Sequence, residues 1–216
     1  MKNYLFALLI FFTATALAQT DTRIYDIIQK VSAKNIEADI TTLANFGTRN
    51  TFSDTLSNTR GIGAARRWIK AQFDQISLNC EECLEVFYQK DLVKAASSNR
   101  VPRDTWVVNV VAIQKSKTGS NEYIIMSGDI DSRNSDGSDF IKDAPGANDN
   151  ASGMAGAIEA ARVLSSYEFD ANIVYLGLSG EEQGLFGGAG FARYAQENNW
   201  DIIGVLNNDM IGNIKG

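Results

Sequence analysis

No histidine occurs anywhere in the 216 residues, so this sequence offers no imidazole as a metal ligand. Cysteine is almost as scarce. Two residues, Cys80 and Cys83, cannot build a four-thiolate zinc site or a multi-bridge framework. With only two prolines there is no Pro-rich linker, and no internal repeat or low-complexity tract marks a second unit. Basic clusters are missing too: 20 Lys+Arg stand against 26 Asp+Glu, which argues against nucleic acid and anionic membrane surfaces as partners. A long apolar run is found only at the start. Leu5 to Phe12 follows Met1-Lys2-Asn3-Tyr4 and precedes the small-residue pattern Ala16-Leu17-Ala18. This predicts a secretory signal peptide over residues 1–18, cut after Ala18, with an N-terminal membrane anchor as the alternative. The run is short for a bilayer span and no positive stop-transfer cluster follows it. The mature chain is therefore expected to be exported, with no membrane segment after cleavage.

What remains has an ordinary globular composition, 44% hydrophobic and 21% charged, and reads as one domain over residues 19–216. Apolar residues recur at helical spacing from Thr22 to about Ala44, and again from Arg60 to Ile76. Gly61-Ile62-Gly63 lies inside the second stretch without a preceding strand, so a phosphate-binding reading is weak. Strand-like runs follow at 84–88, 106–113, 123–126, 173–178 and 202–206, with helical stretches at 151–165 and 190–198 between the later ones. That alternation predicts a sheet with helices packed on it and parallel strands in the second half. Cys80-Glu-Glu-Cys83 is expected to close a local disulfide in an exported chain. A pair of inert thiols is the alternative, and redox catalysis is disfavoured because neither cysteine sits in a strand-to-helix turn.

Carboxylates stand where the apolar runs meet glycine-rich turns. Tyr123 to Ser127 leads to Gly128-Asp129-Ile130-Asp131, Ile173 to Leu178 leads to Gly180-Glu181-Glu182, and Ile202 to Asn208 leads to Asp209. Asp149 precedes an Ala/Gly-rich helix. Ligands of open parallel sheets bind beyond the carboxyl ends of the strands, and half-buried acids are costly without a neutralising charge. Singly each acid has an ordinary structural use. Asp149 can cap a helix, Glu181 and Glu182 can face a helix dipole, and Asp129 and Asp131 can sit in a solvated turn. Together they point to a shared cation. The adjacent pair Glu181-Glu182 can divide the labour, one ligating a metal and the other taking a proton from water.

The run Asp143-Ala-Pro-Gly-Ala-Asn-Asp-Asn-Ala-Ser-Gly153, followed by Ser179-Gly-Glu-Glu-Gln-Gly-Leu185, resembles peptidase family M28, secreted di-zinc aminopeptidases. The resemblance covers Phe46 to Gly216 and is dense from Ser127 to Gly212. It implies a three-layer α/β/α sandwich with a mixed, mainly parallel sheet, and peptide substrates with a free N-terminus. It also implies that Asp149 bridges two zinc ions, that Glu182 and Asp209 each ligate one of them, and that Glu181 is the general base. At Gly128-Asp129-Ile130-Asp131-Ser132 the sequence departs from the family, which has a histidine ligand where Asp129 stands and an acid orienting it where Asp131 stands. Asp129 remains able to coordinate a metal, and an all-oxygen site shifts preference from zinc towards Mn, Mg or Ca. The cofactor implied is thus a divalent metal: two zinc ions by the family pattern, or one ion, or a harder cation. The family's other histidine ligand falls downstream of Asp209, so the natural chain is expected to continue past Gly216 in a fold incomplete without it.

Asn150-Ala-Ser152 is a formal glycosylation acceptor beside Asp149, and a bacterial exported protein accommodates it unmodified. The leading expectation is an exported metallo-aminopeptidase. The alternatives are a non-catalytic relative that binds another protein, and a glutaminyl-cyclase-like transferase with a single zinc. Nothing in the sequence sets an oligomeric state.

Overall fold

The computed structural model describes residues 21–213; the expected signal peptide, residues 1–18, lies outside them. The helical pattern expected over 22–44 is divided. Helix α1 spans Thr22–Lys30 and α2 spans Ala33–Asn45. Val31 is extended, and the Ser32 side chain accepts the Asn35 N–H at 3.2 Å as an N-cap. Spacing alone hides such a break, because the apolar stripe continues on both sides of it. Helix α3 (Gly61–Asn79) leads through the Cys80–Cys83 disulfide into strand β1 (Leu84–Val93). Then come β2 (Thr105–Gln114), β3 (Glu122–Asp129), α4 (Gly153–Leu164), β4 (Asn172–Leu178), α5 (Phe186–Glu197) and β5 (Asp201–Asn208).

The strands form one mixed sheet in the order β1-β2-β4-β3-β5. β1 and β2 are antiparallel along ten residue pairs, which carries β1 five residues beyond its apolar core of 84–88. β2 is antiparallel to β4, while β3 is parallel to both β4 and β5. The two crossovers that place β3, β4 and β5 parallel are α4 and α5. Side chains of β2 alternate between the two faces. Val110 and Ala112 join Ile69, Phe73, Ile158 and Tyr175 beneath the helices on one side. Val111 and Ile113 join Leu176 and Phe191 on the other. These are the three layers of an α/β/α sandwich.

Helices α2 and α4 are tied by a half-buried ion network. The Arg162 guanidinium donates to Asp39 at 2.7 Å and to Glu159 at 3.0 Å, and Glu159 also accepts the Ser32 N–H at 2.7 Å. Strand β5 is an edge strand, and Ile203, Val205 and Leu206 on it are exposed.

Candidate active site

Parallel pairing brings three strand ends level. Asp129 at the end of β3 is in register with Leu178 of β4, and Gly128 with Asn208 of β5. Glu181 and Glu182 therefore follow β4 on one side of Asp129, and Asp209 follows β5 on the other. The segment carrying Asp149 (Ala147–Ser152) is kinked, Asp149 and Asn150 having non-helical backbone angles, and runs into α4. Its close seat depends on glycine. A Cβ at Gly153 would meet the Asn208 carbonyl oxygen at 2.1 Å, and one at Gly128 would meet the Gly153 backbone at 2.5 Å.

Asn150 knits these ends together. Its Nδ2 donates to Asp129 Oδ2 at 2.9 Å and to the Asn208 carbonyl at 2.8 Å, and its Oδ1 accepts the Gly153 N–H at 3.0 Å. At 1% exposure, with both Nδ2 hydrogens committed, it is no glycan acceptor in the folded protein. In the sequence Asn150 stands in the Asp143–Gly153 run and in a formal acceptor pattern, with no role of its own assigned; its place directly after Asp149 is the available signal.

Asp131 is fully buried, and it does not reach towards a ligand. Its Oδ1 accepts the Glu181 N–H and its Oδ2 the Glu182 N–H, both at 3.2 Å, and Thr51 Oγ1 donates at 3.2 Å. In a chain without the imidazole it was expected to orient, Asp131 holds the turn that presents the glutamate pair. Two buried arginines flank it. Arg49 donates to the carbonyls of Ile130, Leu43, Pro145 and Gly146, and Arg66 Nε reaches Ser179 Oγ at 3.3 Å. Burial lowers both guanidinium pKa values to about 10, and the charge of Asp131 opposes that fall.

The acids converge on two adjoining cavities. One, about 520 Å³, is lined by Arg100, Arg133, Asp149, Glu181, Glu182 and Asp209 among others. The other, about 540 Å³, shares Glu181, Leu185 and Asp209 and adds Asp129 with the apolar Leu178 and Ala189. Glu181 stands on the border of both. Burial, followed by the neighbouring Asp131, Glu182, Asp209 and Asp149 charges, raises its carboxyl to about 7. Asp129 also rises to about 7, through burial first and then the charges of Asp131, Glu181 and Asp209, against the Asn150 hydrogen bond. Glu182 is raised by burial and held back by Arg133, whose Nε donates to its Oε2.

The carboxylates of Asp129, Asp149, Glu182 and Asp209 are oxygen donors suited to a divalent ion, and the upward shifts at Asp129 and Glu181 come first from burial and then from the neighbouring carboxylates. The donors fit such an ion in kind. In the arrangement described, however, Glu182 is committed to Arg133, and no three His, Cys, Asp or Glu among the described residues stand close enough together to hold a metal.

Residues 109–216 match the sequence model of Peptidase family M28. The chain belongs to that family. A protein named "probable zinc metalloprotease" from Leptosphaeria maculans is 39% identical over 91% of this chain and 45% of its own length. One of the same name from Pyricularia oryzae is 37% identical over 91% of this chain and 39% of its own. The chain thus spans less than half the length of these curated relatives. Among solved structures, Legionella pneumophila LapB is similar with a TM-score of 0.69 at 20% identity, over 90% of this chain and 48% of that one. A Bacteroides thetaiotaomicron glutaminyl cyclase is similar with a TM-score of 0.64 at 17% identity, over 84% and 62%. These likenesses bear on the fold, and they agree with the three-layer architecture that the family resemblance implied.

Proposed function

We infer that this M28 domain belongs to an exported metal-dependent aminopeptidase in which Glu181 is the general base. The observation that carries the reading is the position of Glu181 on the border of both acidic cavities, with a carboxyl near 7. A base acts best when its pKa lies near the working pH, because it is then free to accept a proton and basic enough to hold one. Asp131 fixes the backbone of this residue, so its side chain is presented from a rigid turn.

Asp149, Asp209, Glu182 and Asp129 would hold the divalent metal, zinc by analogy with the named relatives and one or two ions in number. When bound, the metal supplies positive charge that polarises a carbonyl and acidifies water. The chain's own residues do the rest. Glu181 takes a proton from the attacking water and can return it to the departing amine. The apolar wall of Leu178, Leu185 and Ala189 offers a dry surface to a substrate side chain. Export is supported by the N-terminal pattern of residues 1–18 and by the Cys80–Cys83 disulfide, which suits an oxidising compartment.

Glu181→Gln tests the reading. Hydrolysis of amino-acid amides and peptides should fall by roughly 10²–10⁴-fold while metal binding is kept. Loss of metal together with activity would assign Glu181 to the ligand set instead. Cyclisation of N-terminal glutamine, without amide hydrolysis, would transfer the domain to the glutaminyl-cyclase chemistry of its structural neighbour.

A further inference from the structure

Arg133 lies four residues beyond Asp129, on the loop that leaves β3, and its partly exposed side chain lines the acidic cavity. Its Nε donates to Glu182 Oε2, and Arg133 Nη1 is turned to the Asn134 carbonyl at 3.3 Å. A second arginine, Arg100, stands 3.9 Å from the same Glu182 oxygen, but its Nη1 is engaged by the Glu182 main-chain carbonyl at 2.6 Å. The two arginines therefore differ in role. Arg100 ties down the turn, whereas Arg133 holds the carboxylate. The Glu182 side chain is 9% exposed and that of Arg133 34%, so the acid is fixed in the wall while the arginine has room to withdraw into water.

A charge-assisted hydrogen bond to a carboxylate is strong where water is scarce, and a metal using the same oxygen must displace it. The geometry points to Arg133 as a built-in competitor for the divalent cation at Glu182. In the metal-free protein it neutralises the carboxylate and keeps it in place; on metal entry it yields the oxygen and swings outward. This inference rests on the metal-dependent reading of the site, and it assigns the metal affinity of the domain partly to a residue that is not a ligand.

The test is a calorimetric titration of the full chain, stripped of metal, with Mn²⁺ and with Zn²⁺. Arg133→Gln should bind roughly tenfold more tightly than the wild type, the equivalent of removing one competing hydrogen bond to a charged group. Arg100→Gln should change affinity much less, although it removes the same charge from the same cavity. In a Glu182→Gln background, Arg133→Gln should bring no further gain. Arg133→Met, which keeps the aliphatic stem, repeats the measurement if the glutamine variant folds poorly. Equal tightening by Arg133→Gln and Arg100→Gln would reduce the effect to general electrostatics and overturn the proposal. So would unchanged or weaker binding by Arg133→Gln, with the metal site itself left standing. Saturable binding by none of the variants would overturn both the competitor and the metal site.

Discussion

The buried carboxylate of Asp131 accepts the backbone N–H of Glu181 at 3.2 Å, across 50 residues of sequence. Through this bond, and its twin to Glu182, the loop after β3 sets the position of the loop after β4. Asp131→Asn should therefore disturb the glutamate turn, because an amide NH₂ would face a backbone N–H where an acceptor is required. A buried polar group left unpaired costs about 1–3 kcal/mol. Urea unfolding of the variant should show a loss of that order, and any hydrolytic activity should fall with it. Unchanged stability would mean that the turn is held by other contacts.

The raised carboxyls of Asp129 and Glu181 have a consequence for pH. Both lie near 7 in the fold, against roughly 4 in an unfolded chain. Between those values the folded state binds more protons than the unfolded one, so this contribution to stability declines as pH rises, and it levels off once both groups are ionised. The metal-free protein should lose stability across that window, and Asp129→Asn should flatten the slope. Thermal melts in chelator at roughly pH 5 and pH 8 provide the check. An unaltered slope in the variant would remove Asp129 from the explanation.

Much of this arrangement was legible in the sequence, for a definite reason. Strand ends carrying acids are visible wherever an apolar run stops at glycine and carboxylate, as at Ser127-Gly128-Asp129 and Leu178-Ser179-Gly180-Glu181. The parallel register of β3 with β4 and β5 then brings these ends together. Long-range polar partnerships were not legible. Arg49, Asn150 and Arg133 look like ordinary surface or loop residues in the sequence. Their roles arise only when chain segments tens of residues apart supply carbonyls and carboxylates to them. The break at Val31 and Ser32 was missed because a cap interrupts the backbone without interrupting the apolar stripe. Helix α5 begins at Phe186, before the expected 190, because the glycines at 187 and 188 conceal its first turn from a periodicity reading.

The tether between α2 and α4 gives a prediction away from the site. Removing Arg162 would leave Asp39 and Glu159, both buried, facing each other without a counter-charge. Breaking one side of a buried ion pair in this way costs about 3–5 kcal/mol. Arg162→Ala should therefore destabilise the domain far more than the exposed Arg193→Ala, and chemical denaturation of the two variants compares them directly. Equal, small effects would show that water reaches the network.

Metal stoichiometry bears most directly on the proposal that Asp129, Asp149, Glu182 and Asp209 share a cation. The chain, dialysed against trace Zn²⁺ or Mn²⁺ and then against metal-free buffer, would be analysed by elemental mass spectrometry beside an Asp149→Asn, Asp209→Asn double variant. The wild type should retain at least about one divalent ion per chain and melt at a higher temperature when loaded, because binding to the folded state alone stabilises it. The double variant should retain none. A wild-type chain that holds no ion and melts identically with and without metal would contradict a cation site at these strand ends.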